Sequence, residues 1–266
     1  MIPRVIPVLL LRSGGLYKTR RFSNEKYVGD PVNAVRIFNE KEVDELSIVD
    51  MVAARRSSVP DFELLRDIAS EAFMPMSYGG GVSTTDVVHE LVTLGYERVI
   101  VNSAAVRNPD LITDIVDRFG TSTLIASIDV GKDLLGRYRV YINGGQEKTS
   151  LSPADWATEL ARRGAGEILL TSIDRDGEMV GYDLTLLKQV ASSVHVPVIV
   201  SGGAGHLEHF REAVDAGASA VAAGSFFVFH GRHKAVLISY PPRRQLEALW
   251  PQRDEQAGID PGARDD

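Results

Sequence analysis

The chain has 266 residues, 44% of them hydrophobic, a length that suffices to bury a large core without covalent cross-links. It contains no cysteine, which excludes disulfides, zinc sites with thiolate ligands and cysteine nucleophiles; with the lack of a long apolar run, this predicts a cytoplasmic protein without membrane contact. The net charge of −7 argues against a partner that is a nucleic acid.

Eight short apolar runs recur along the chain, and each is too short for a buried helix. This pattern is typical of parallel strands buried on both faces. The runs cover residues 5–11, 45–51, 73–79, 98–103, 123–130, 167–174, 196–202 and 220–225. Amphipathic segments that predict helices lie between them, at residues 30–41, 62–72, 84–95, 111–120, 153–164, 183–193 and 207–217. The alternation predicts a closed barrel or, as the alternative, an open doubly wound sheet.

An internal repeat distinguishes these two architectures. Residues 73–106 run parallel to residues 195–228 at a constant offset of 122 positions, which relates Gly80 to Gly202 and Ser103 to Ser225. Two similar halves close naturally into one barrel, whereas an open sheet gives no reason for the second half to copy the first. The sequence therefore predicts an α/β fold, a (β/α)8 TIM barrel made of two repeated (β/α)4 half-barrels.

The barrel is predicted to cover residues 1–240, followed by a C-terminal extension at 241–250. Residues 251–266 are polar, with Gly, Pro and mixed charge, and they predict a disordered tail. Residues 131–150 predict a small hairpin in the loop after the fifth strand.

Glycine-rich segments at 79–81 and 202–205 end the third and the seventh predicted strands. Glycine lets backbone N–H groups approach an anion, and the helix that follows adds its partial positive charge. The next strand of each half ends in small polar residues, which are Asn102 and Ser103 in one half and Gly224 and Ser225 in the other. The symmetry predicts two phosphate sites, although the glycines could serve only tight turns. Lys18 is placed to close over a phosphate or, alternatively, to remain solvated.

Four aspartates fall at strand ends, where a barrel presents side chains to its substrate: Asp50, Asp129, Asp174 and Asp176. Asp129 is the best candidate for general acid–base catalysis, because that task needs a group held rigidly at the mouth. Asp50 and Asp174 could instead cap helices or form salt bridges. Alignment of the two halves places Leu10 opposite Asp129, so a mechanism with two opposed carboxylates lacks one of them.

Charged residues open four of the predicted strands: Arg4, Glu45, Arg98 and Glu167. They should meet at the N-terminal face of the barrel, either as a stabilising ring of salt bridges or as a polar gate on the barrel axis.

Histidine pairs and arginine pairs complete the candidate residues. His206 with His209 and His230 with His233 have helical spacing but lack a third ligand, so no metal and no cofactor is predicted. The arginine pairs at 20–21 and 55–56 are placed to attract an anionic ligand.

Across nearly the whole of residues 1–229, the chain resembles the cyclase subunit of imidazole glycerol phosphate synthase. The resemblance is carried by GDPVNA (29–34), DEL (44–46), GGGV (79–82), NSAAV and NP (102–109), DRFG (117–120), EILLTSIDRDG (167–177), GYD (181–183), SGGAG (201–205) and LEHF (207–210). It implies that a glutaminase subunit docks at the N-terminal barrel face and that ammonia travels along the axis to a phosphorylated small-molecule substrate.

The resemblance also implies roles for particular residues. The gate residues are Arg4, Glu45, Arg98 and Glu167, with Arg98 where a lysine is usual. Gly81, Asn102 and Ser103 would hold one phosphate. The residues for the other phosphate are Gly177, Gly203, Gly224 and Ser225. Lys18 and Asp176 are further candidates for substrate binding because of their own positions.

Two departures from the family pattern qualify the implied activity. The family's catalytic pair is two aspartates, of which Asp129 matches one and Leu10 replaces the other. The segment 227–241 also departs from the family's usual last helix. Both features resemble a paralogous branch associated with amidation of a sugar in surface-polysaccharide (lipopolysaccharide) synthesis, with a sugar amidotransferase as a further partner. The alternatives are an active cyclase (lyase) of histidine biosynthesis and a non-catalytic ammonia conduit that activates its glutaminase.

Overall fold

The computed structural model describes residues 2–56 and 58–250. Its strands are, in chain order, β1 (Arg4–Arg12), β2 (Gly15–Arg20), β3 (Ser23–Gly29), β4 (Leu46–Asp50), β5 (Met76–Gly79), β6 (Arg98–Val101), β7 (Leu124–Lys132), β8 (Tyr138–Ile142), β9 (Glu147–Lys148), β10 (Glu167–Ser172), β11 (Val198–Ser201), β12 (Ala220–Ala223), β13 (Phe229–His230) and β14 (Ala235–Val236). Its α-helices are α1 (Pro31–Glu40), α2 (Met51–Arg56), α3 (Phe62–Glu71), α4 (Thr85–Thr93), α5 (Ser103–Arg107), α6 (Asp110–Phe119), α7 (Pro153–Arg162), α8 (Leu184–Ala191), α9 (Leu207–Asp215), α10 (Ser225–Val228) and α11 (Arg243–Leu249).

Eight parallel strands form a closed barrel. They are neighbours in the order β1, β4, β5, β6, β7, β10, β11, β12, and the pairing of β12 with β1 closes the ring. The ladder between β7 and β10 joins the two halves, from Glu167 opposite Ile125 to Ser172 opposite Val130. These strands correspond to the eight predicted apolar runs, so the predicted (β/α)8 TIM barrel is confirmed.

Several helices begin where the sequence places a capping residue. The side chains of Asp30, Asp61, Thr84 and Asp183 accept hydrogen bonds from the backbone N–H three residues further on, which opens α1, α3, α4 and α8. Each helix then turns an apolar stripe towards the outside of the barrel, as Val88 and Leu91 of α4 do.

The interior of the barrel is a separate small core. Side chains from the inner faces of the strands fill it: Ile6, Ile100, Ile125, Leu169, Ile199, Ala220 and Ala222. Such inward layers are the usual filling of an eight-stranded barrel. The cluster separates the N-terminal face from the C-terminal mouth.

Two hairpins rise from the C-terminal ends of the barrel strands. The first is β2–β3, which extends β1 through antiparallel pairing of β1 with β2. The second is β8–β9, which extends β7 and confirms the hairpin predicted at 131–150. No strand was predicted for the residues of β2–β3.

The segment after β12 contains α10, the small hairpin β13–β14 and α11. The hydroxyl of Tyr240 donates to the carbonyl oxygen of Val5 at 2.9 Å, and Leu246 of α11 is buried in the main core. These contacts fasten the segment to the barrel. The predicted tail at 251–266 lies outside the described residues. None of the described helices is long and apolar enough to cross a membrane.

Candidate functional site

A cavity of about 190 Å³ opens at the C-terminal ends of the barrel strands. Residues from both halves of the repeat line it, as expected for a site at this face of a barrel. The structure brings together there the residues predicted to be catalytic or to bind the substrate and its phosphates: Lys18, Gly81, Asn102, Ser103, Asp129, Asp176, Gly177, Gly203, Gly224 and Ser225.

Asp129 projects from β7 into the cavity wall. The side-chain amide nitrogen of Asn102 donates to its Oδ2 at 2.9 Å. Burial raises the pKa of the Asp129 carboxyl to about 7; the hydrogen bond from Asn102 opposes this change and the charge of Asp176 adds to it. A carboxyl group with a pKa near neutrality can both take and give a proton at physiological pH.

Leu10 occupies in β1 the position that Asp129 occupies in β7. Leu10 pairs with Val49 of β4, whereas Asp129 pairs with Thr171 of β10. Val49 and Thr171 are related by the repeat offset of 122, so Leu10 and Asp129 are equivalent in the two halves. The pairing of β1 with β12 and of β7 with β6, on the other side of the two strands, gives the same equivalence. Leu10 also lines the cavity. An apolar side chain therefore occupies the position in the first half that the carboxylate of Asp129 occupies in the second half.

The glycine-rich strand ends adopt conformations that larger residues avoid. Gly81 has a φ of +70° and Gly203 a φ of +117°. A Cβ atom at either position would lie 2.2 Å from a backbone oxygen, that of Ser58 or Gly181 respectively. These glycines are thus required by the backbone path itself, and the same path exposes their main chain to the cavity.

Lys18 is buried, with 3% of its surface exposed, so it is not a solvated lysine. Its Nζ donates to the carbonyl oxygen of Val8, and it lies 2.7 Å from the point that a Cβ atom on Gly224 would occupy. Burial lowers the pKa of Lys18 to about 8, while the nearby Asp176 acts in the opposite direction. The cation therefore lies directly beside the strand end that carries Gly224 and Ser225.

Asp176 fastens the β2–β3 hairpin over the cavity. Its Oδ2 accepts hydrogen bonds from the Thr19 hydroxyl at 2.6 Å and from the Phe22 N–H at 3.3 Å. Its carbonyl oxygen accepts from the Arg21 N–H at 2.9 Å. Burial raises the pKa of Asp176. These hydrogen bonds therefore hold the β2–β3 hairpin against the loop after β10.

Two of the predicted strand-end carboxylates serve local structure. Asp50 accepts hydrogen bonds from the N–H groups of Val52 and Ala53 and caps α2. Asp174 accepts from the N–H of Lys132, the last residue of β7, and so joins the base of the β8–β9 hairpin to the loop after β10. The capping alternative predicted from the sequence accounts for Asp50, whereas Asp174 bonds to a strand residue and caps no helix.

Four charged side chains form a ring at the N-terminal face. Arg4 contacts Glu45 at 2.6 Å and Glu167 at 2.5 Å, and Arg98 contacts Glu167 at 2.6 Å and Glu45 at 3.6 Å. Glu45 is buried, which raises its pKa despite the two arginines. Its Oε1 has no hydrogen-bond partner among the described residues. The ring lies at one end of the apolar interior and the cavity at the other.

The histidine pairs have local contacts. Nδ1 of His209 accepts a hydrogen bond from the N–H of Gly205, and the rings of His206 and His209 are 5.4 Å apart. His230 ends β13 and His233 lies in the turn that follows it, and both side chains are exposed. Within residues 2–56 and 58–250, no three His, Cys, Asp or Glu side chains form a group that could hold a metal ion.

Arginines near the cavity have different surroundings. Arg20 and Arg21 both pair with Glu178 on the outside of the rim. Arg55 lines the cavity, and so does Arg107, which was not predicted although it lies between the segments NSAAV and NP. The position of Arg107 in the short helix directly after β6 is the signal that could have identified it.

Comparison with known proteins places the chain among biosynthetic enzymes. The model of the histidine biosynthesis protein family matches residues 4–234. A relative from Leptospira interrogans, provisionally named imidazole glycerol phosphate synthase subunit HisF, is 48% identical over 93% of this chain and 98% of its own length. A provisionally named subunit hisF2 from Pseudomonas aeruginosa is 49% identical over 92% and 98%, and the subunit HisF of Streptomyces coelicolor is 42% identical over 85% and 90%.

Proposed function

Because the chain belongs to the histidine biosynthesis protein family, as a protein similar to the cyclase subunit HisF of imidazole glycerol phosphate synthase, we propose that it receives ammonia from a glutaminase partner. The ammonia serves the amidation of a sugar in surface-polysaccharide synthesis, together with a sugar amidotransferase. In this proposal the N-terminal face docks the glutaminase, and the mouth binds a phosphorylated small molecule.

The presence of a leucine at position 10 is the observation that favours sugar amidation over imidazole formation. A leucine can neither take nor give a proton. A reaction that needs a carboxylate at both equivalent positions therefore has only that of Asp129. Loss of one acid–base group typically lowers a rate by about 10²–10⁴. The departure at Leu10 and the segment 227–241 both resemble the sugar-amidation branch of the family.

The ring of four charged side chains supports the proposal that ammonia enters the barrel at its N-terminal face. In the proposal, Arg4, Glu45, Arg98 and Glu167 act as a gate between the glutaminase and the barrel interior. The contact between Arg98 and Glu45 is the longest of the ring at 3.6 Å, so it is the one whose separation costs least. Ammonia is small and uncharged, and it can pass apolar side chains such as Ile6 and Ile125 that exclude ions.

The two ends of the cavity are assigned to anionic groups of the ligand. Gly81, Asn102 and Ser103 hold one phosphate. The other lies between Lys18 and the main chain of the second half, at Gly177, Gly203, Gly224 and Ser225. Asp129 lies between the two ends, and Asp176 keeps the β2–β3 hairpin closed over them.

Reconstitution with an isotope label tests the proposal. The barrel is combined with its glutaminase, the sugar amidotransferase and the sugar substrate, with [amide-15N]glutamine and an excess of unlabelled ammonium chloride. We expect the amidated sugar to carry 15N when the wild-type barrel is present and to lose the label when it is omitted. Equal labelling without the barrel would overturn the proposal.

The second candidate is an active cyclase of histidine biosynthesis, which Asp129 favours. Its carboxyl, held by Asn102 and with a pKa near 7, is suited to acid–base work without a second carboxylate. Formation of imidazole glycerol phosphate by the wild-type chain would identify this function.

A further inference from the structure

The two ends of the cavity differ in charge although their glycine loops repeat. Arg55 and Arg107 both line the cavity at the end that holds Gly81 and Ser103. The repeat offset of 122 relates them to Gly177 and Phe229, so the other end has no counterpart of either guanidinium. That end carries Lys18, which has a pKa lowered to about 8 by burial.

Arg55 retains capacity to bind an anion. Its NH1 contacts Oε1 of Glu25 at 2.9 Å, and its NH2 donates to the carbonyl oxygen of Phe22 at 3.1 Å. Glu25 also pairs with Arg12, so one carboxylate serves two guanidinium groups and leaves a net positive charge. The Nε of Arg55 is buried without a hydrogen-bond partner among the described residues. A buried N–H group is unfavourable until a ligand or water accepts from it.

Arg107 is joined to the same end of the cavity through one turn of the β8–β9 hairpin. It donates to Oδ1 of Asn143 at 2.5 Å, and the N–H of Asn143 donates to Oγ of Ser103 at 2.9 Å. Gly144 packs against Arg55, since a Cβ atom there would lie 3.1 Å from the Arg55 Nε. One turn therefore holds both arginines beside Ser103.

We propose that Arg55 and Arg107 make this end the site for a dianionic phosphate monoester and so fix the direction in which a two-ended ligand lies across the mouth. Guanidinium groups bind the oxygens of a phosphate through paired, charge-assisted hydrogen bonds, which a single lysine cannot match. The inference rests on the proposed function, since it takes Gly81 and Ser103 as a phosphate site.

Titration with inorganic phosphate, followed by NMR on 15N-labelled protein at pH 7.5, reports on each end separately. The backbone amides of Gly81 and Ser103 report on the arginine end, and those of Gly203 and Ser225 report on the lysine end. In the wild type we expect the arginine end to respond at the lower phosphate concentration.

Charge-removing variants identify the cause. Arg55→Gln and Arg107→Gln keep an N–H donor for Phe22 and Asn143 but lose the charge, and each should raise the midpoint at the arginine end by about tenfold. The lysine end should be unchanged. The control is Arg162→Gln, which removes the same charge from the outer surface of α7, where Arg162 pairs with Glu159; it should shift neither midpoint.

The outcomes separate this inference from the proposed function. Responses at both ends with the order reversed, or with midpoints that Arg55→Gln and Arg107→Gln leave unchanged, overturn the inference alone. An equal effect of Arg162→Gln overturns it too, because net charge would then explain the binding. Absence of a response at both ends overturns the inference together with the phosphate sites of the proposed function.

Discussion

Burial moves the pKa values of two cavity residues towards neutrality from opposite sides. It raises the pKa of Asp129 to about 7 and lowers that of Lys18 to about 8, because each group loses solvation of its charged form. Both groups therefore titrate close to neutrality, whereas in the unfolded chain both would be fully charged there. Such displaced values are common at functional sites, where stability is exchanged for reactivity.

Replacement of the Asp129 carboxyl should stabilise the fold in a pH-dependent way. The ordinary pKa of 3.8 lies below the folded value of about 7, so the folded chain binds more protons between pH 4 and pH 7 and loses stability as the pH rises through that window. We expect Asp129→Asn to be more stable than the wild type at pH 8, by a margin that shrinks towards pH 4 by up to about 1.4 kcal/mol per pH unit.

Urea unfolding at pH 5 and pH 8 measures this margin. The variant Asp117→Asn, on the exposed side of α6, corrects for the general effect of removing one negative charge. A margin for Asp129→Asn that grows on acidification would contradict the assignment of a raised pKa.

Among single residues, those at strand ends were predictable and those held by tertiary contacts were not. Asp129 and the glycine loops could be located because the carboxyl ends of parallel strands gather at one rim. The capping role of Asp50 depends on α2, a helix of six residues that no periodicity revealed. Arg107 belongs to α5, which is even shorter.

At the scale of elements, the β2–β3 hairpin is the feature that completes the site. Its polar residues Thr19, Arg20 and Arg21 give no alternating apolar pattern, which is why no strand was predicted there. What orders it is a set of contacts to the loop after β10, chiefly those of Asp176. Hydrogen bonds between residues more than 150 positions apart cannot be predicted from local sequence patterns.

Removal of the Asp176 side chain should release this hairpin. In Asp176→Ala the Phe22 N–H and the Thr19 hydroxyl lose their acceptor, so we expect amide hydrogen exchange at Phe22 to accelerate by about tenfold or more. Amides of the barrel strands should keep their protection. Asp174→Ala is the matched control: it should speed exchange at Lys132 and leave Phe22 unchanged. Unaltered exchange at Phe22 in Asp176→Ala would show that other contacts hold the hairpin.

At the scale of the whole molecule, closure of the barrel brings together charges that are far apart in sequence. Glu45 and Glu167 are related by the repeat and share the same two arginines. The repeat made the closed barrel predictable, and the position of charges at strand starts made their meeting predictable. The distances within the ring, and the buried oxygen of Glu45 that lacks a partner among the described residues, followed only from the structure.

The ring should show the energetics of a partly buried network. Arg4→Ala leaves Glu45 buried with only the 3.6 Å contact to Arg98, and we expect the free energy of unfolding to fall by about 2 kcal/mol, less than for a fully buried pair because Arg4 is partly exposed. Arg4→Ala combined with Glu45→Gln should recover part of the loss, since the uncompensated charge is gone. Urea unfolding of the two single variants and the double variant measures the coupling; purely additive losses would contradict it.

The proposed function is tested most directly by a cyclase assay on the barrel alone, with ammonium chloride and the bis-phosphate substrate of the cyclase. The wild type is compared with Leu10→Asp, which restores a carboxylate opposite Asp129, and with Leu10→Asn, which has the same shape without the charge. We expect no turnover by the wild type or Leu10→Asn and measurable formation of imidazole glycerol phosphate by Leu10→Asp. Turnover by the wild type at ordinary enzyme rates would contradict the proposed function and identify a histidine-pathway cyclase that works with one carboxylate.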